Sequence, residues 1–200
     1  MISLEGGLDM KENNVTSLEE NSNNISNKNK NPVIIFIKEW VVPVICALGI
    51  WFLLNKFVFI NVTLPPSGSM IPTLNNNDRL IASRVWNKDD IKRGDILIFK
   101  SDELNELLIK RVIGLPGDHI EIVDGVVSVN GEKINEDYVK NNKEYTGVFD
   151  VPENKLFFLG DNRKVSYDSR YWDNPYIDKS YIEGKAQFRY YPINDMKIIK

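Results

Sequence analysis

The 200-residue chain holds a single cysteine, Cys46, and a single histidine, His119. One thiol excludes an internal disulfide and a cysteine-rich zinc site. One imidazole leaves His119 as the sole base for any Ser-His-Asp triad. It heads the alternating strand "HIEIV", where a surface histidine is the ordinary occupant. An excess of either charge is missing too. The 25 Lys and Arg stand against 28 Asp and Glu, a net charge of −3, so no basic surplus points to a nucleic-acid partner. There is no internal repeat, and residues 61–200 contain no long stretch of helical periodicity. Residues 1–31 lack anything to bury ("NSNNISNKNKN") and are expected to be a disordered polar tail.

What the chain does have is one greasy run, residues 32–60, "PVIIFIKEWVVPVICALGIWFLLNKFVFI". Its uninterrupted core, Trp40–Leu54, is shorter than the ~20 residues a spanning helix prefers. Continuing through "NKFVFI" reaches that length, with Lys56 snorkelling to the interface. Trp40 and Trp51 supply amphipathic anchors, and Pro43 lies near the expected helix start. The run ends in "FVFINVTLPP" rather than a small-residue cleavage site, which favours an uncleaved anchor over a signal peptide; a buried core helix is the alternative. Lys28, Lys30 and Lys38 precede the core and only Lys56 closely follows it, so the N-terminus is expected inside and the remainder outside.

Residues 61–200 read as a mainly β, compact antiparallel domain. "RLIASRVW", "DILIFKS", "LLIKRVIGL", "HIEIVDGVVSVNGEKI", "KLFFLG" and "KAQFRYYP" are short and rich in β-branched or aromatic residues. Asp124-Gly125 and Asn130-Gly131 are tight-hairpin signals.

Three segments carry candidate chemistry. In "PPSGSMIPTL", Gly68 permits a close turn, Pro66 and Pro72 stiffen it, and Ser69 is held as a nucleophile requires, with Ser67 offering a second hydroxyl. Read alone, the stretch is also an ordinary Pro/Ser/Gly turn. Serine needs a base, and without a clear histidine the other known activator is a neutral lysine. Lys110 in "ELLIKRVIGLPGD" shares a strand face with Leu108 and Val112, which would desolvate it and lower its pKa; the adjacent cation of Arg111 is expected to push the same way. An edge-strand lysine is the alternative. The third segment, "FFLGDNRKVSYDSRYW", follows an apolar strand with a turn signal at Gly160-Asp161-Asn162. It offers Ser166 as a hydrogen-bond partner for a lysine amine and Asp168 and Arg170 as a pair.

Together these segments resemble the type I signal peptidase (leader peptidase) family, in its bacterial Ser/Lys form. "PSGSMIPTL" is similar to the box bearing the nucleophile, "RGDILIF" to a structural strand box, "KRVIGLPGD" to the lysine box and "GDNRKVSYDSR" to the last box, in the family's order and spacing. The resemblance implies Ser69 as nucleophile, Lys110 as general base, and Ser67 with the Ser69 amide as oxyanion hole. It implies Ser166 as the residue orienting the lysine amine, Asp168 and Arg170 as a supporting ion pair, and Met70 as a packing position. It further implies cleavage of signal peptides from secretory preproteins at the outer face of the cell membrane, the lipid bilayer as a partner, and no metal or cofactor. Asp173 and Asn174 stand where the family usually has Gly. A self-cleaving repressor-type Ser/Lys protease would lack the anchor, and a non-catalytic anchored β domain would not need Ser69, Lys110 and Ser166 together. Ser69 lies nine residues beyond Ile60, a reach of about 30 Å at most, so it is expected to work near the bilayer. Phe57, Val58, Phe59, Leu64 and Ile71 are expected to form an apolar rim there.

Overall fold

The computed structural model describes residues 31–64 and 66–199, so the polar tail before Asn31 lies outside the described residues. The chain forms two units, Met1–Phe52 and Leu53–Lys200.

The apolar run is helical from Pro32 to Phe57, in three consecutive stretches together labelled α1: Pro32–Phe36, a π-helical Ile37–Val41, and Val42–Phe57. Pro32 sits in the first turn, where its missing N–H costs nothing. The wider π turn immediately precedes Pro43, which cannot donate to the carbonyl four residues earlier. Pro32–Leu54 is long and apolar enough to cross a membrane: 23 residues with a mean hydropathy of 2.2. At ~1.5 Å per residue it reaches ~35 Å, against a hydrocarbon core of ~30 Å. The helix extends on the N-terminal side through Lys38 and Glu39 and continues through the first three residues of "NKFVFI", to Phe57. Phe59 and Ile60 already belong to a strand, because "FINVT" alternates its exposure and pairs with a neighbour.

The second unit holds β1 (Phe59–Thr63), β2 (Arg79–Arg84), β3 (Ile96–Ser101), β4 (Glu106–Gly114), β5 (His119–Val123), β6 (Val126–Val129), β7 (Glu132–Lys133), β8 (Gly147–Asp150), β9 (Lys155–Leu159), β10 (Tyr176–Asp178), β11 (Ile182–Tyr191) and β12 (Lys197–Ile198). A large sheet has the order β1-β2-β11-β3-β4-β9-β10, with β12 on β11, and a small one the order β7-β6-β5-β8. Every pairing is antiparallel. The two hairpin signals are realised. Asp124 and Gly125 have φ of 49° and 80°, Asn130 and Gly131 of 54° and 84°, and they close β5–β6 and β6–β7. Positive φ at both central positions matches the twist of the flanking strands.

The large sheet is buried on both faces around β3, which explains the unbroken "ILIF". Ile96 and Ile98 join Leu64, Met70, Leu74 and Ile109 in one core. Leu97 and Phe99 join Val112, Phe158 and Trp172 in a second, where Phe99 stacks on Phe158. A third core packs Ile113, Phe157 and Leu159 against Ile120 and Ile122 of the small sheet. Gly114 sits at that junction: a Cβ there would lie 2.7 Å from Val151 and 2.9 Å from Phe157. Leu64, expected at the lipid rim, is 5% exposed and belongs to the first core, since β1 turns inward before the nucleophile turn.

Candidate active site

Ser69 is carried by the loop Leu64–Asp78 that joins β1 to β2. The loop is closed at its base, where Leu64 N–H donates to Asp78 O (3.0 Å) and Asn77 N–H to Leu64 O (3.3 Å). Gly68 has φ +65°, a conformation that favours glycine, and its N–H donates to Asn76 Oδ1 at 2.9 Å. Beneath the turn, Met70 and Leu74 plug into the first core. Asp78 anchors the base. It accepts from Asn75 N–H (2.7 Å) and pairs with the fully buried Arg189 of β11 (2.7 Å), which also donates to Asp195 O (2.9 Å).

Lys110 lies on β4 opposite Leu97 of β3, inside the sheet and not on its edge, so the edge-lysine alternative fails. Its side chain is buried, and Nζ donates to Ser69 Oγ at 2.6 Å. Burial is the main force on this amine and pulls its pKa from 10.5 down to about 8. Asp168 and Asp161 oppose the shift by stabilising the ammonium, and Arg170 reinforces it. Arg170, not singled out for this role by the sequence, is a reinforcing cation, while Arg111 is engaged with further partners. Its guanidinium grips Asp161 through two bonds (2.8 and 2.7 Å), donates to Gly94 O and lies 4.0 Å over the Tyr138 ring.

Ser67 Oγ lies 3.3 Å from Ser69 Oγ. Arg170 and Asp168 form a buried bidentate pair (2.8 and 2.9 Å), and Asp168 also accepts from Gly160 N–H. Ser166 is buried, and its hydroxyl has no hydrogen-bond partner among the described residues; a bond to Lys110 is therefore not formed here. Lys110 instead spends its bond on Ser69. Ser166 nevertheless stands beside the nucleophile's backbone: a Cβ on Gly160 would lie 2.6 Å from both Ser166 Cβ and Ser69 O. His119 is distant in role as well as in sheet. Its Nδ1 lies 2.6 Å from Asp150 on the exposed face of the small sheet.

Sequence reasoning missed Asn162. Its backbone N–H donates to Ser69 O (2.9 Å) and its side-chain amide to Gly68 O (3.1 Å), fastening the nucleophile turn from above. The only signal was the turn-forming Gly-Asp-Asn, which says nothing about partners 94 residues away. Asp173 and Asn174 keep an ordered turn, with their N–H groups directed to the Glu103 carboxylate (3.3 and 3.4 Å). Larger hollows, of about 460, 340 and 310 Å³, are lined by other segments. A smaller apolar hollow of about 180 Å³ is walled by Val62, Leu64, Ile98, Leu107 and Ile109; it shares Leu64 and Ile109 with a narrow cleft of about 10 Å³ lined by Ser67, Gly68 and Ser69.

The family described as "Signal peptidase, peptidase S26" matches residues 37–191. The chain belongs to the signal peptidase family. It is 38% identical over 177 residues to a signal peptidase I of Leptolyngbya laminosa, covering 84% of each chain. It is likewise 38% identical over 171 residues to a signal peptidase I of Bacillus licheniformis, covering 80% of this chain and 91% of that one. The crystal structure of a signal peptidase I from Enterococcus faecalis aligns at 35% identity and a TM-score of 0.42, over 48% of this chain and 96% of that one. As a member of the signal peptidase family, the chain is a peptidase.

Proposed function

We propose that the chain is a membrane-anchored serine endopeptidase that removes N-terminal signal peptides from exported preproteins, with Ser69 as nucleophile and Lys110 as general base. The observation that carries this reading is a buried lysine whose amine touches a serine hydroxyl at 2.6 Å. Lys110 in its neutral form takes the Ser69 proton as Oγ attacks the scissile carbonyl. The Ser67 hydroxyl and the Ser69 amide hold the oxyanion, worth roughly 2.7–4 kcal/mol per donor in comparable sites. Lys110 then passes its proton to the leaving amine and activates the water that releases the acyl-enzyme. Ser166 accepts from the amine once Lys110 loses its proton and turns its lone pair to Ser69. Its buried, unpartnered hydroxyl supports that role. Asp168 and Arg170 brace the same loop.

The residues from Pro32 to Leu54 form the anchor, with the N-terminus on the cytoplasmic side and the β domain on the outer face of the cell membrane. The lysine bias of the flanks supports this orientation. The hollow walled by Val62, Leu64 and Ile109 receives the signal-peptide side of the cut. The test is incubation of the purified full chain with a preprotein in detergent. Wild type yields the mature protein; Ser69→Ala and Lys110→Arg do not, since arginine cannot act as a base. Processing by Lys110→Arg at near wild-type rate would refute the assignment.

A further inference from the structure

The loop from Gly160 to Arg170 is almost wholly interior. Asp161, Asn162, Arg163, Ser166, Asp168, Ser169 and Arg170 are all buried. Three side chains break the pattern: Lys164, Val165 and Tyr167 face solvent, on either side of the buried Ser166. Val165 is 57% exposed and Tyr167 is 48% exposed. Both leave apolar side-chain surface in water beside a buried loop. Val165 is tied to the nucleophile turn through two successive hydrogen bonds, Asn162 N–H to Ser69 O and Val165 N–H to Asn162 O (3.2 Å), and Tyr167 lies two residues further on. Tyr167 is held in place by its ring, which stacks on Tyr171 at 6.4 Å and 12°, and Lys143 lies 4.9 Å from the Tyr171 ring.

The two sides of the dyad differ. The apolar hollow is lined from β1, from Ile98 of β3, the strand on one edge of β4, and from Leu107 and Ile109 of β4 itself. On the other side runs β9, whose exit is this loop. The leaving amine must take its proton from Lys110 Nζ, so the chain downstream of the cut departs from the Lys110 side, away from the hollow that holds the upstream residues. We propose that Val165 and Tyr167, with Lys164 beside them, form the contact surface for the first residues of the mature protein, downstream of the scissile bond. The chemistry suits an extended peptide with an apolar or aromatic side chain in its first few positions: a rigid aromatic face, a branched aliphatic and a flanking ammonium. This rests on the signal-peptidase reading above and adds a downstream specificity to it.

The test compares two substrates on the full-length enzyme in detergent. One is a peptide spanning the cleavage site with five downstream residues, including Leu or Phe among the first three. The other is an ester carrying the same upstream residues with a small alcohol as leaving group. Val165→Ser with Tyr167→Ser is expected to lower kcat/KM on the long peptide about tenfold, the scale of losing one modest apolar contact, and to leave the ester unchanged. Tyr167→Phe keeps the stacked ring and should retain wild-type turnover of both. A long peptide with Gly at its first three downstream positions should be insensitive to the double substitution. An equal fall on peptide and ester, or no fall on either, overturns the proposal. Ester turnover that requires Ser69 in either case leaves the dyad standing, so the two readings fail separately.

Discussion

Replacing Lys110 with methionine should abolish activity and, at neutral pH, stabilise the fold. The lysine is buried and its pKa lies at about 8 rather than 10.5. The folded state therefore resists a proton that the unfolded chain binds readily. Between pH about 8 and 10.5 the unfolded chain carries more protons, so stability rises with pH across that window. Below about 8 the full penalty of the buried ammonium applies, and above 10.5 it is gone. At ~1.36 kcal/mol per pH unit the penalty is about 3 kcal/mol. Methionine fills a similar volume but removes the bond to Ser69 Oγ, a loss of ~1 kcal/mol, softened by the remaining Ser67 neighbour. The net gain at pH 7 is about 2 kcal/mol, or ~4–8 °C in Tm for a domain of this size. Thermal unfolding of both full-length proteins in the same detergent, at pH 7 and at pH 10.5, measures it. The gap should shrink and reverse sign as pH rises. Equal midpoints at pH 7, or a gap that does not change with pH, would refute a desolvated lysine. The same titration governs catalysis. At pH 7 about 10% of such a lysine is neutral, against ~0.03% at pKa 10.5, so kcat/KM should climb toward a plateau above pH 8.

Gly160→Ala should be severe, because the added methyl meets Ser166 Cβ and Ser69 O at 2.6 Å; expected are a loss of ~1–3 kcal/mol by denaturant titration and a fall of at least tenfold in kcat. Arg189→Met leaves Asp78 buried without its charge partner and should cost ~3–5 kcal/mol, much of it recovered by adding Asp78→Asn, as urea midpoints would show. His119→Ala should leave preprotein processing near wild type, since its partner is the exposed Asp150; a large fall in kcat would reinstate a histidine base.

Much of this was legible in one dimension. Local rules sufficed for the hairpins at Asp124-Gly125 and Asn130-Gly131, because positive φ at both positions is a property of the residues themselves. The doubly buried β3 announced itself as "ILIF". Lys110 stood out because a charge inside an apolar strand has to be explained. Strand β1 was absorbed into the anchor because "FVFI" continues a greasy run, and only pairing with β2 tells strand from helix there. β10 and β12 are too short to show a period. The electrostatics were least visible. Arg111 and Arg170 look alike in sequence, yet Arg111 grips Asp161, 50 residues on, while Arg170 pairs with Asp168 and bears on the lysine. Arg189 and Asp78 meet across 111 residues, and nothing local marks either as buried.

Strand β1 follows directly on the anchor helix and forms the edge of the large sheet. Its five residues are laced to β2, from Phe59 opposite Ser83 to Thr63 opposite Arg79. Any tug passed along the chain at Phe59 meets that ladder before it meets the nucleophile loop. A load directed along the strand axis is shared among the ladder's cross-strand bonds, which run perpendicular to it. Beyond it, the loop's two ends already hold each other at Leu64 and Asp78. The nucleophile loop is thus joined to the preceding helix by sequence, with the β1–β2 ladder and the Leu64–Asp78 closure lying between them along the chain. The 2.6 Å contact between Ser69 and Lys110 is made by that closed loop and by β4, both of which follow the ladder along the chain.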